Sequence, residues 1–308
     1  MKSKNKCYYF IIIFLLVFSQ KTTAQVEVFV KNALEKISGG HSHVILDLNS
    51  PQASEFSQVY KKYWTLTQGV DFIDSRKLQE NLVAGDSYFS LETSMVSYGG
   101  SGTVIFYYLN LWVPKEKALK KVDEFDIQDE ISIAHIQLSV HGDIGKRTAW
   151  PNFGADKNIN NWNPGILKNY LQQLSSVIKT GKKFLSDDIT NKTQLKLLKD
   201  QTLYCSEDDF YLLGTLGKVG KLDGAQMEKL FDGYKSSYKI ITSQELGDKI
   251  LADSEQFYYF LYVHGTDGGK LMLVVNSRTG ELLYSRSEIS FSHNIKSGDL
   301  KDLYNKIK

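Results

Sequence analysis

Only two cysteines occur in 308 residues, and one of them, Cys7, lies in a segment that reads as a targeting signal. A chain left with Cys205 alone can form no intramolecular disulfide, so a packed core must hold it together. Long apolar runs are missing too. The longest, from Tyr8 to Phe18, is too short to span a bilayer comfortably, and no transmembrane segment is expected once the signal is removed. There is no run of Lys and Arg that would neutralise a row of phosphates, which argues against nucleic acid as a partner. Catalytic spacings are equally scarce: no GxSxG elbow, papain-like cysteine context or HExxH appears.

What is present begins with an address. MKSKNKCYYFIIIFLLVFSQKTTAQ combines a lysine-bearing start, a short apolar run and a small-residue ending, the three-part layout of a secretory signal peptide. Cleavage is expected between Ala24 and Gln25, giving an exported, periplasmic or secreted protein, with an uncleaved amino-terminal anchor as the alternative. Cys7 precedes the apolar run, the wrong place for a lipid-modified cysteine. Losing Lys2, Lys4, Lys6 and Lys21 leaves 33 basic against 35 acidic residues, so the slightly basic whole-chain balance belongs to the targeting segment. The remaining 284 residues are enough for one or two domains.

SRKLQENLVAGDSYFSL, from Ser75, and SQELGDKILADSEQFYYFL, from Ser243, read as two versions of one stretch. At a constant offset Leu78 falls on Leu246, Leu82 on Ile250, Ala84 on Ala252 and Phe89 on Phe257, with Phe72-Ile73 falling on Ile240-Ile241 upstream. In the first version HVILDLN, VDFID, SYFSLETSMVSY, TVIFYYLNLWV and EISIAHIQLSVHG predict strands. SPQASEFSQVYKKYW predicts a helix capped by Ser50, RKLQENLVAG a helix capped by Ser75, and GILKNYLQQLSSVIK a closing helix. In the second, TLYCSEDDFYLLG, YKIIT, QFYYFLYVHG and KLMLVVNS predict strands, and DGAQMEKLFDGY, SQELGDKILAD and GDLKDLYNKIK predict helices. The expectation is an α/β (α+β) protein of two tandem, internally duplicated domains. Each is a mixed sheet with helices packed on it, in β-α-β-α-β-β-β-α order. The boundaries are residues 1–24 for the signal, 25–178 for the first domain, 179–200 for a polar helical linker and 201–308 for the second.

The second copy resembles the amino-terminal α/β domain of TolB-type periplasmic proteins and the related curli-secretion lipoproteins. The resemblance rests on Tyr238 to Thr242, Gln244 to Leu251, Phe257 to Val263, and the closing turn with Asn276, Thr279, Gly280 and Glu281. In the first copy Trp112-Val113-Pro114 stands where that turn would be. WNPGILKNYLQ, VVNSRTGE and NIKSGDLK make the chain similar to uncharacterised exported proteins of Bacteroidetes-type bacteria. These resemblances imply an envelope binding or assembly module and bring no established activity.

Candidate chemistry is thin. GTLGKVGK, residues 214–221, approaches a phosphate-binding loop, but Leu222 stands where Ser or Thr must reach a metal. YGGSGT, residues 98–103, leads into a strand and not a helix. His41 with His43, and His135 with His141, lack the third ligand a catalytic zinc needs. The first pair sits beside the mature amino terminus, where solvated side chains are expected. DEFDIQDE, residues 123–130, lacks the alternate carboxylates and the glycine of a calcium loop. Cys205 lies before an acidic turn, which would raise a thiol pKa, so it reads as a plain core or surface residue and not as a nucleophile. No cofactor is expected. Trp150, Phe153 and Trp162 sit among asparagines in TAWPNFGADKNINNWNPG. They are the candidate contacts for an envelope protein or a cell-wall component, or else they fill the gap between the copies. A non-catalytic binding or assembly module is the favoured function. The alternative is a secreted hydrolase whose acid pair comes from distant residues.

Overall fold

A computed structural model describes residues 25–46, 48–49, 51–97, 103–120, 129–139, 159–181, 191–213, 219–264, 269–289 and 294–308. Its first sheet contains β1 (Val26–Val28), β2 (Ser42–Ile45), β3 (Val70–Ile73), β4 (Ser87–Ser97), β5 (Thr103–Pro114) and β6 (Glu130–Leu138). Their order is β1-β6-β5-β4-β2-β3. The second contains β7 (Leu203–Ser206), β10 (Tyr238–Ile241), β11 (Tyr258–His264), β12 (Gly269–Asn276) and β13 (Leu282–Ile289), ordered β10-β7-β11-β12-β13. A separate hairpin joins β8 (Tyr211–Leu213) to β9 (Val219–Lys221). The protein is of the α/β class, with two mixed sheets.

The run β3-β2-β4-β5-β6 matches β10-β7-β11-β12-β13 in order and direction. β2 pairs in parallel with β3 and β4, as β7 does with β10 and β11, and the later neighbours are antiparallel in both sheets. Parallel neighbours need crossovers. α2 (Ala53–Tyr63) makes the one between β2 and β3, and α5 (Gly224–Phe231) the one between β7 and β10. A short helix, α1 (Ala33–Ile37), precedes β2. α2 forms where Ala53, Phe56, Val59 and Tyr60 recur at helical spacing and are all buried. Gln52 precedes it without a side-chain cap, and Ser50 lies outside the described residues.

The register departs from the ungapped alignment. Val70 and Tyr238 hold the same place opposite Ser42 and Leu203, but Phe89 lies opposite Val44, whose counterpart Cys205 lies opposite Phe260. Phe89 therefore corresponds to Phe260 and not to Phe257. The slack arises in the connection before that strand. SQELGDKILA forms α6 (Ser243–Ala252), with a Thr242–Glu245 capping box. RKLQENLVAG, expected as a helix, makes only two 3-10 turns, Ser75–Lys77 and Gln79–Asn81. Asp74, not Ser75, caps the first of them. Beyond them the Tyr88 hydroxyl accepts from the Val83 amide at 2.7 Å and donates to the Asn81 carbonyl at 2.8 Å. It thereby takes up groups that a continuing helix would pair internally. TLYCSEDDFYLLG likewise divides into β7, a 3-10 turn over Glu207–Asp209, and β8.

α3 (Pro164–Thr180) joins the sheets. Asn163 caps it, with its side-chain oxygen accepting from the Ile166 amide at 3.0 Å, and Pro164 occupies the first turn. Thirteen of its 17 residues are buried, because it meets α2 and the first sheet on one side and α6 and the second sheet on the other. One apolar cluster runs from Phe89, Leu109 and Ile136 through Ile166, Leu171 and Leu174 to Leu246, Tyr259 and Leu273. The α2–α3 layer on the first sheet thus packs against α6 and the second sheet.

A second cluster fills the other side of the second sheet. There Tyr258, Phe260, Tyr262, Met272 and Val274 meet α5 and α7 (Ser297–Ile307). Leu195 and Leu198, on and just after α4 (Lys192–Leu197), join it, although α4 lies in the stretch expected as a polar linker. On the outer face of the first sheet, Tyr88 stacks on Trp112 beneath Leu78 and Leu82. Among the described residues no helix is long and apolar enough to cross a membrane.

Candidate functional site

A pocket of about 280 Å³ opens between α5, the start of α7 and the β8–β9 hairpin. Three pieces of local structure shape it. Asp223 and Gln226 form a capping box that starts α5, and the helix then turns Gln226, Lys229 and Leu230 to one side. Phe210 and Tyr211 form its floor as the chain enters the hairpin, and Phe210 is held by a stack on Phe260 and an edge contact with Phe231. Ile295, Lys296 and Ser297 close the third side. α7 is fixed there because buried Asp299 accepts from the Lys270 ammonium and from the Lys296 amide, both at 2.8 Å. Most of the pocket surface is apolar, and its charged lining residues are Lys229 and Lys296. Among the described residues neither lysine takes part in an ion pair. Among the described residues that line the pocket there is no carboxylate, cysteine or histidine, and those present offer adhesion and positive potential.

A second constellation lies on the outer face of the first sheet. The Asn110 amide nitrogen donates to Glu92 Oε1 at 2.8 Å and to Glu130 Oε1 at 3.0 Å. Ser90 donates to Glu92 at 2.6 Å, and the Trp112 indole donates to Ser90 at 2.9 Å. Ser132 holds the Asn110 carbonyl oxygen at 2.6 Å. The two carboxyl groups hydrogen-bond to each other, and burial followed by the Glu92 charge pushes Glu130 up to about 8. Near neutral pH Glu130 therefore keeps its proton.

A third acid is fully enclosed. Asp209, 1% exposed, accepts on Oδ1 from Asn161 at 2.6 Å and from the Tyr262 amide at 3.0 Å. Burial, opposed by these bonds, raises its pKa well above the ordinary carboxylate value. Asp209 in turn adds to the effect of burial in raising the Cys205 thiol.

Trp162 is 9% exposed and stacks on Phe56 with ring centroids 5.4 Å apart, inside the main core. Trp150, Phe153 and His141 lie outside the described residues, as does most of each glycine-rich loop and of the acidic run. The structure does not leave His41 and His43 simply solvated. His41 Nδ1 meets Asp71 and His43 Nε2 meets Asp86, each at 2.7 Å, and the His43 side chain is mostly buried and stacked on Tyr88. The reason is that β2 runs between β3 and β4, which bring the two aspartates to it. His135 meets Glu27 at 3.4 Å. Among the described residues no group of three or more His, Cys, Asp or Glu is placed to hold a metal.

Sequence reading missed both the pocket and the acid pair. A signal for the pair was present: Ser90 and Glu92, Asn110, and Glu130 and Ser132 are polar positions at spacing two within otherwise apolar strands. Comparison of the chain with protein families, curated proteins and solved structures found no match.

Proposed function

We propose that the chain is an exported cell-envelope protein that binds a partner or ligand without transforming it. The observation that carries this reading is the pocket beside α5 and α7. Its lining is aromatic, aliphatic and lysine-bearing, and among the described residues it holds no carboxylate, histidine or cysteine of the kind hydrolysis would use. The amino-terminal signal layout supports export, with Gln25 as the mature first residue. The resemblance of the second unit to TolB-type and curli-secretion domains supports an envelope setting, with an envelope protein or cell-wall component as the partner.

The acid pair favours a second reading, a secreted hydrolase. Against it, Glu92 and Glu130 hydrogen-bond to each other. Glycoside cleavage needs its carboxyl groups about 5 Å or more apart, to leave room for the scissile bond or a water.

Incubation of residues 25–308 with cell-wall fragments and envelope glycans, followed by mass spectrometry of bound and released species, separates the two. Retention of an unchanged component supports the binding reading. Product that disappears in Glu92→Gln and Glu130→Gln variants would establish the hydrolase.

A further inference from the structure

Trp162 and Ile295 hold matching places ahead of two helices, and the pocket opens beside Ile295. Trp162 lies two residues before α3, and Ile295 two residues before α7. α3 and α7 are the helices that close the two matching strand orders. In the first unit the Trp162 indole lies against Phe56 of α2. In the second, Ile295 faces α5 across the pocket, beside Leu230. Ile295 is itself buried, and about 280 Å³ stays open beside it.

The rim differs from the floor. Lys229 comes from α5 and Lys296 from the approach to α7, and both lack an ionic partner among the described residues. α7, 11 residues long, directs the positive end of its dipole to the same edge through Ser297. The acid nearest that end, Asp299, is already bonded to Lys270.

We infer that this pocket binds a small aromatic carboxylate. A single- or fused-ring body occupies the space beside Ile295, and one anionic group sits between Lys229 and Lys296. The assignment rests on the binding reading above and names its ligand class. Ring burial against Phe210, Tyr211 and Leu230 provides adhesion, and the two ammonium groups provide selection by charge.

Three probes share one ring and differ in charge: indole-3-acetate, neutral indole-3-ethanol and cationic tryptamine. Titration of residues 25–308 by ligand-observed NMR at low ionic strength is expected to give saturable binding of indole-3-acetate, about 10-fold tighter than the other two. The Lys229→Ala/Lys296→Ala double variant is expected to erase that preference. Ile295→Trp, which puts a ring into the pocket, is expected to abolish binding of all three, with Leu230→Phe as a milder plug if Ile295→Trp does not fold. Absence of saturable binding, equal affinity for the three probes, or undiminished binding in a folded plugged variant would each overturn the assignment. If the probes fail while an envelope component is still retained unchanged, the ligand class falls and the binding reading stands.

Discussion

Gly165 of α3 and Gly247 of α6 meet backbone to backbone. A methyl group on Gly165 would lie 2.1 Å from the Gly247 carbonyl oxygen, and one on Gly247 would lie 2.3 Å from Asn163 Oδ1. Asn163 reinforces the crossing, since its amide donates to the Ser243 carbonyl at 2.8 Å. Lys168, one turn further along, donates to the Ile250 carbonyl at 3.2 Å. The second unit docks on the first through these two helices, and only glycine permits so close an approach.

Gly165→Ala and Gly247→Ala are each expected to cost about 1–3 kcal/mol, because the added methyl group meets groups that cannot simply rotate away. Gly298→Ala is the matched control, since its methyl group would meet nothing within 4 Å. Thermal or urea unfolding measures all three. Wild-type stability in Gly165→Ala would contradict the packing described.

Trp162 supports the same junction from the side. Trp162→Ala removes a ring packed on Phe56 and is expected to destabilise by about 3–5 kcal/mol. The readout is urea unfolding followed by far-UV circular dichroism, which does not depend on the lost fluorophore.

The Glu92–Glu130 pair makes stability depend on pH. Glu130, raised to about 8 in the folded chain, keeps its proton where an unfolded glutamate has lost it. The folded state therefore binds more protons between the unfolded pKa and pH 8, and stability falls as pH rises through that window. Below the window the contribution is fully present, and above it the slope vanishes. Discounted for partial exposure, the fall from pH 5 to pH 8 is of order 1–2 kcal/mol. Glu130→Gln is expected to flatten the stability profile over that range, and an unchanged slope would refute the raised pKa of Glu130.

Cys205 is expected to be inert in the folded protein. It is fully buried and its thiol is raised well above the ordinary value, so the reactive thiolate is neither formed nor exposed. Iodoacetamide at pH 8 should leave it unlabelled, and the same reagent in denaturant should label it. Rapid native labelling would contradict its place in the second core.

Much of the strand content was legible in the sequence, because alternation and apolar runs such as YYFLYV and LMLVV have few other solutions in a folded chain. The closing helices were legible through Asn163-Pro164 and the leucine spacing of GILKNYLQQL. The helix expected after Ser75 was not, since local periodicity there yields to the Tyr88 hydroxyl, a partner that appears only when β4 pairs. Leu195 and Leu198 passed as part of a polar linker because two leucines among lysines show little amphipathic contrast, yet both are fully buried. The site was the least legible part. Lys229, Leu230 and Ile295 meet only in three dimensions, so no spacing in the sequence announces the pocket.

The central claim is that the chain binds without turnover through the pocket beside α5 and α7. Its most direct test is retention of envelope-extract components by immobilised residues 25–308, with Ile295→Trp and Leu230→Phe alongside, read by mass spectrometry of the eluates. The account predicts a component held unchanged by wild type and reduced about 10-fold by a folded plugged variant, a loss of roughly 1.4 kcal/mol. Equal retention by wild type and plugged variants, or recovery of a cleaved product from wild type alone, would contradict it.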